Sequence, residues 1–178
     1  MNLDEFEKQL AAVIGQPTDL RPFVCEGSPL ECEIFIVGYN PATKMDGDWW
    51  RFWKQGYGYK KSVWFDEYIS QRGDVSKTRS KIQEIVSSLP DARVLEANID
   101  ARPSQRKSAY PRPVTKPFDY VLSVCNPKVV IAHGTDAVAH LQRWKLKGTL
   151  IECKHFIYVG RERTREILAE TRRALAVG

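Results

Sequence analysis

Long hydrophobic runs are missing from this sequence. No apolar stretch approaches the ~20 residues that a membrane-spanning helix requires, so the pattern excludes a transmembrane protein. The first ten residues, MNLDEFEKQL, are acidic and amphipathic and do not resemble a secretory signal peptide. We therefore expect a soluble intracellular protein, cytoplasmic or nuclear, that has no membrane partner.

Closely spaced cysteines are missing as well. The chain has four cysteines without a C-x-x-C pair, at Cys25, Cys32, Cys125 and Cys153. Zinc and iron–sulfur sites generally use tighter spacing. The pattern favours reduced, mostly buried thiols, and we predict no metal and no cofactor.

The chain also lacks repeats, low-complexity tracts and any sign of a second domain. Its 178 residues are enough for one domain with a real core, so we predict a single domain over residues 1–178. The net charge of +5 and pI of about 9.0 suit a polyanionic partner such as DNA. That charge does not demand such a partner, since many basic proteins bind no nucleic acid. We expect a monomer.

Short β-branched runs alternate with helical patterns along the chain. The predicted strands are residues 33–37, 93–97, 128–132 and 155–159, and pairing of residues 149–153 at the sheet edge is left open. The predicted helices are residues 4–13, 76–89, 117–125, 135–144 and 161–176. Residues 16–30 contain three prolines and predict a connecting loop, whereas helix and loop both remain open for residues 47–68. This alternation predicts a three-layer α/β/α domain with a four-stranded, mainly parallel sheet.

Polar residues follow the predicted strands where each strand ends. Gly38 and Pro41 break the first strand around Asn40, Asn98 follows the second, and His133 follows the third. Because the carboxyl ends of parallel strands meet at one edge, we expect these side chains to lie together. Open α/β sheets bind their ligands at that edge. Asn40 before proline is also a good turn residue that needs no chemistry, Asn98 can simply cap the strand end, and a histidine such as His133 is often structural.

An aromatic cluster lies between residues 49 and 53. Trp49, Phe52 and Trp53 lie close to Arg51 and Lys54. Aromatic rings beside cations are what a base-stacking, phosphate-contacting surface needs. The same aromatics can instead belong to the core.

Two basic segments are candidate phosphate contacts. Residues 101–116 form a proline-stiffened loop with five cations, which can clamp a phosphate backbone or remain a solvated loop. Its cations are Arg102, Arg106, Lys107, Arg112 and Lys116. Arg161 and Arg163 begin the last predicted helix, where the helix dipole disfavours cations. Either an anion binds there or the segment is an ordinary solvated turn.

Four segments, in this order, resemble parts of the uracil-DNA glycosylase superfamily. Residues 38–42 (GYNPA) are similar to its first motif, in the Gly-x-Asn-Pro form of the mismatch-specific and single-strand-selective branches. Residues 51–53 (RFW) are similar to a segment of the mismatch-specific branch. Residues 95–98 (LEAN) resemble the strand that ends in the base-reading asparagine, and residues 128–135 (KVVIAHGT) resemble the third strand. The resemblance covers about residues 31–165.

This resemblance implies a monofunctional DNA glycosylase that hydrolyses the N-glycosidic bond of a flipped base, either uracil or a deaminated purine. Cleavage passes through an oxocarbenium-like sugar while negative charge builds on the base. Asn40 would orient the water, Asn98 would read the base, and Gly38, Tyr39 and Pro41 would line the site. Trp49, Phe52 or Trp53 would stack on the base.

The family places a His-Pro-Ser motif after its fourth strand, and this chain has none. Gly160 and Arg161 follow the predicted fourth strand instead. The histidine that stabilises the base anion and the wedge loop that enters the duplex are therefore absent from that position. The predicted substitutes for the histidine are His133 and Arg161.

Two other functions remain open. One is a non-catalytic nucleic-acid or base-binding module that has lost the glycosylase chemistry. The other is an enzyme that acts on a free nucleoside or nucleotide. The five cations of residues 101–116 argue against the latter, since a single nucleotide does not need them.

Overall fold

One seven-stranded mixed sheet runs through the structure. The computed structural model describes residues 1–42, 45–104 and 111–177. The strands are β1 (Phe23–Gly27), β2 (Ile34–Gly38), β3 (Trp53–Lys54), β4 (Gly58–Lys60), β5 (Val94–Asn98), β6 (Val129–His133) and β7 (Thr149–Cys153). The helices are α1 (Leu3–Ile14), α2 (Lys61–Arg72), α3 (Lys77–Ser87), α4 (Lys116–Cys125), α5 (Thr135–Leu141) and α6 (Arg161–Val177).

The sheet has a parallel half and an antiparallel half. Its strand order is β3-β4-β1-β5-β2-β6-β7. β5, β2, β6 and β7 run parallel, whereas β1 pairs antiparallel with both β5 and β4, and β4 pairs antiparallel with β3. The predicted α/β class is confirmed, but the predicted four-stranded sheet is wrong, because three antiparallel strands extend the four parallel ones.

Two segments differ from the sequence prediction. Residues 16–30 were expected to form a loop, but they contain β1, whose short apolar pattern lies between prolines. The fourth parallel strand is residues 149–153, and the segment 155–159 holds a short 3-10 helix, Phe156–Tyr158. β7 is an edge strand with only one buried residue, Ile151, so it lacks the continuous apolar run of a central strand.

Helices cover both faces of the sheet. Alternate strand residues point to opposite faces. On one face, strand residues such as Phe35 and Leu95 pack against Phe6 of α1 and Phe118 of α4. On the other face, strand residues such as Ile34, Ile36, Val129 and Ile131 pack against Ile85 of α3 and Ile167 of α6. Helix, sheet and helix therefore form three layers.

Local signals explain where several helices begin. Asn2 and Glu5 form a reciprocal capping box at the start of α1, and the Ser76 side chain accepts from the Arg79 amide at the start of α3. α5 differs from the prediction, because Gly134 rather than Thr135 is its N-cap and the helix ends at Leu141. Among the described residues, no helix combines the length and apolar character needed to cross a bilayer.

Candidate functional site

A cavity of about 480 Å³ opens at the carboxyl ends of β5, β2 and β6. It lies on the sheet face that carries Glu96, Asn98 and His133, and α2 and α3 form its opposite wall. Tyr39 and Pro41, in the segment that leaves β2, also line it. The structure thus brings together the polar strand ends that the sequence predicted at one edge.

Gly38 makes room for two of these side chains. It pairs with Asn98 on β5, while the preceding residue pairs with the residue before His133 on β6. A Cβ added to Gly38 would lie 2.8 Å from both Asn98 Oδ1 and His133 Nε2. Only glycine therefore lets the asparagine and the histidine converge over the middle strand.

The Asn98 side chain is open to a ligand. It is half-buried and makes no hydrogen bond to any residue that the structure describes. Its amide has both donors and an acceptor, which match the edge of a nucleobase.

His133 is buried and neutral. Burial, with smaller contributions from His155 and Arg79, lowers the pKa of His133 from 6.5 to about 3. Its ring stacks on Phe156 with centroids 4.1 Å apart, and Nδ1 has no hydrogen-bond partner among the described residues. An imidazole in this state can donate from one nitrogen and accept at the other.

A second histidine, His155, also lines the cavity. It lies two residues after β7, and its ring meets the His133 ring edge-on at 5.1 Å between centroids. The Ile157 amide donates to His155 Nδ1 at 3.4 Å, and burial lowers the His155 pKa. A neutral imidazole that accepts at Nδ1 carries its proton on Nε2, so His155 can donate a hydrogen bond from that nitrogen.

Asn40 is held by the chain segment that follows β5. Its Nδ2 donates to the Ser104 carbonyl at 2.6 Å, which leaves Oδ1 as an acceptor. Backbone bonds continue the β2–β5 pairing past the strand ends, from Asp100 to Tyr39 at 2.8 Å and from Ser104 to Pro41 at 2.9 Å. Both segments are thereby fixed at the rim of the cavity.

The opposite wall combines aromatic rings with buried charge. Trp64 and Tyr68 of α2 and Arg79 of α3 line the cavity, with the guanidinium carbon of Arg79 4.9 Å from the Trp64 ring centroid. Arg79 also forms an ion pair with Glu96, whose other oxygen lies 2.6 Å from Lys61 Nζ. Burial alone would raise the Glu96 pKa, but Arg79 and Lys61 outweigh it and lower the pKa.

The predicted stacking aromatics do not line this cavity. Trp49 and Phe52 are buried in the core, and the Trp49 indole donates to the Phe23 carbonyl. Trp53 is half-buried and packs against Phe6 and Trp49. Their density reflects a core on the opposite sheet face, and the cavity is lined by Trp64 and Tyr68 instead.

The predicted phosphate contacts that belong to the described part of the chain do not line this cavity either. Arg102 holds Asp100 through two hydrogen bonds of 3.0 and 2.9 Å, and Arg163 holds Glu166 and Glu170. Arg112 and Arg161 are exposed on the surface. Arg106 and Lys107 lie outside the described residues.

Sequence reasoning missed His155, Trp64, Tyr68 and Arg79. His155 was placed inside a predicted strand, although the shorter pattern of residues 149–153 would have put it just after one. The other three lie on α2 and α3, and the Trp64–Tyr68 spacing of four residues indicates one helix face without indicating a cavity.

Thiols and metals do not add to this site. The four cysteines are free, with Cys25 and Cys32 buried. Within the described ranges, no group of three or more His, Cys, Asp or Glu side chains is arranged to hold a metal ion.

A scan of protein-family models gave no match to the chain, and a search of curated proteins gave none.

Proposed function

We propose that this protein is a monofunctional DNA glycosylase of the uracil-DNA glycosylase type, which hydrolyses the N-glycosidic bond of a flipped base. The observation that carries the proposal is the convergence of Asn98 and His133 over Gly38 at the carboxyl edge of the parallel strands. Asn40 lies at the rim of the same cavity. These three residues come from three of the four segments that resemble the family.

The available groups suit a reaction that depends on positioning. Asn40 Oδ1 is the free acceptor of an amide whose nitrogen is already held, so it can orient a water molecule. An amide is too weak a base to remove a proton outright, and the site would therefore work by alignment and electrostatics. Asn98 would read the polar edge of the extruded base.

His155 is the better candidate for stabilising the departing base anion. The family's histidine follows the fourth strand, and His155 follows β7, the fourth strand of the parallel half. A neutral imidazole with its proton on Nε2 can donate a hydrogen bond to a developing anion and remain neutral. His133 is more deeply buried and stacks on Phe156, and its contact with the His155 ring would help to hold that ring in place. Arg161, exposed and outside the cavity lining, is no longer needed as a substitute.

Excision assays with Asn40→Ala test the proposal. The pure protein is incubated with single- and double-stranded oligonucleotides that carry uracil, hypoxanthine or xanthine, and alkali reveals abasic sites as strand breaks. We expect breaks with at least one of these bases and a loss of about 100-fold in single-turnover rate in Asn40→Ala, the scale of losing one positioned polar group.

Asn126→Gly is the matched control. Asn126 caps α4 in a left-handed conformation that glycine adopts freely, and it does not line the cavity. This variant is expected to keep the wild-type rate. If no base is excised but oligonucleotides still bind in a salt-sensitive manner, the chain is a base-binding module and the glycosylase proposal is wrong.

A further inference from the structure

The guanidinium of Arg79 points to the ligand that the cavity is built to take. Its side chain is only 15% exposed and lines the cavity. Glu96 is its one hydrogen-bond partner among the described residues, although an arginine has five N–H donors. None of its nitrogens is both buried and without a partner, so the remaining donors are accessible from the cavity and available to a ligand.

Arg79 is held rigidly in place. Glu96 fixes one end of the guanidinium, and the Trp64 ring lies beneath it at 4.9 Å. A guanidinium that is already oriented loses little freedom when it binds a second partner. It therefore acts as a fixed fork of donors and not as a mobile charge.

The carboxylate beside it offers little to a ligand. Lys61 and Arg79 form ion pairs with the two oxygens of Glu96, which is 5% exposed, and Oε1 is a fully buried atom. Ser76 and Thr78, in the same segment as Arg79, also line the cavity with hydroxyls that can donate or accept, so the guanidinium is the part of this wall that only donates. A base that brings an amino group to the guanidinium would meet donor against donor, whereas a base that brings carbonyl and ring-nitrogen acceptors would be bound.

We propose that Arg79 determines specificity and that the cavity selects a 6-oxopurine, such as hypoxanthine, by donating to its O6 and N7. These two acceptors are adjacent on the purine edge and match the arginine fork, whereas adenine places an amino group at that position. Uracil lacks an adjacent pair of acceptors. Asn98, on the sheet side of the cavity, is left to bind the Watson–Crick edge. The inference rests on the proposed base-binding role of this cavity.

A phosphate is the weaker alternative ligand for Arg79. The guanidinium lies on the helix wall with most of its surface covered, and its charge is matched by Glu96. A backbone phosphate of DNA is bound more readily by exposed cations at a rim than by a buried ion pair. The test includes inorganic phosphate so that this alternative has its own outcome.

Binding of free bases to the purified chain tests the inference without relying on catalysis. Calorimetry compares hypoxanthine with adenine, uracil, inorganic phosphate and 7-deazahypoxanthine, which lacks the N7 acceptor. We expect hypoxanthine to bind about tenfold or more tightly than adenine and than the 7-deaza base, the discrimination of one bidentate contact.

Arg79→Lys supplies the protein side of the test. Lysine keeps the charge beside Glu96 but loses the fork, so the hypoxanthine-to-adenine ratio should fall at least fivefold. Lys81→Arg is the matched control, because Lys81 lies on the same helix, pairs with Glu84 and does not line the cavity. Thermal unfolding checks that both variants fold. If Arg79→Lys does not fold, the comparison of hypoxanthine with the 7-deaza base on the wild-type protein tests the inference.

The outcomes separate this inference from the proposed function. Equal binding of hypoxanthine and adenine, a preference for uracil or phosphate, or an unchanged ratio in Arg79→Lys would overturn the inference. Excision of uracil without a purine preference would leave the glycosylase proposal standing alone. A purine preference without excision of any base would leave the pocket assignment standing and end the glycosylase proposal.

Discussion

At the scale of single residues, the absence of a side chain at Gly38 organises the site. Asn98 and His133 both approach the point where its Cβ would lie. The atoms that a new methyl group would meet belong to side chains and not to backbone, so the sheet itself can survive the exchange.

Gly38→Ala is expected to damage the site more than the fold. The added Cβ would lie at 2.8 Å from two polar atoms, a distance that forces one of them to move. We expect a loss of ~1 kcal/mol or a little more in the free energy of unfolding, as for a mild overpacking. Oligonucleotide excision and free-base binding should fall at least tenfold, measured beside a urea unfolding curve.

Gly160→Ala is the control for this exchange. A Cβ at Gly160 meets nothing within 4 Å, and the residue does not need a left-handed backbone. This variant should behave as wild type. Wild-type binding in Gly38→Ala would show that the convergence of Asn98 and His133 has no role.

The residue scale is also where the sequence was most informative. Asn40, Asn98 and His133 each follow an apolar run, and parallel strands bring such positions to one edge. Arg79 carries no comparable signal, because its importance depends on Glu96 and Trp64, which lie 17 and 15 positions away and meet it only in the folded chain.

At the scale of elements, the short 3-10 helix Phe156–Tyr158 has an unusual surface. Phe156 is buried against His133, but Ile157 and Tyr158 are 47% and 74% exposed. The helix directly follows His155 at the cavity. Exposed apolar side chains beside a base-binding pocket can enter a DNA duplex between base steps, where they stabilise an extruded base.

Tyr158→Ala should therefore weaken activity on duplex DNA alone. Because Tyr158 is mostly exposed, its removal should leave stability within about 0.5 kcal/mol of wild type. Under the glycosylase proposal, single-turnover excision from duplex should fall about tenfold, with little change on single strands, where no base pair must be opened. Tyr57→Ala is the matched control, because Tyr57 is partly exposed on the turn between β3 and β4. An equal loss on both substrates would argue against a wedge.

Elements at the sheet edges were the ones that sequence patterns missed. β7 is half exposed, so its apolar signal is weaker than that of the neighbouring 155–159 segment. β1 lies inside a stretch whose prolines suggested a loop. The central strands β2, β5 and β6 are buried on both faces and were predicted within about one residue at each end.

At the scale of the whole molecule, one face of the sheet carries the site residues and also packs against the helices. Glu96, Asn98 and His133 lie on the sheet face that also packs against α3 and α6. Three-layer packing followed from the alternation of strands and helices. The antiparallel extension did not, because β3 and β4 have only two and three residues and leave almost no periodic pattern.

The pH dependence of global stability tests the burial of His133. Its pKa is about 3 in the folded protein and near 6.5 when exposed, so only the unfolded chain gains a proton there as the pH falls below 6.5. The contribution of the neutral His133 ring to the free energy of unfolding is fully present above pH 6.5 and is lost as the pH falls toward 3. We expect this group to lower the free energy of unfolding by about 2 kcal/mol between pH 7 and pH 5. His155, whose pKa is also lowered, adds to the loss.

Urea unfolding at both pH values should show a smaller loss in His133→Gln than in wild type. His140→Gln, outside the cavity lining, reports what a His-to-Gln exchange does elsewhere. An unchanged loss in His133→Gln would mean that folding does not lower the His133 pKa, and the burial of a neutral ring at this position would then be wrong.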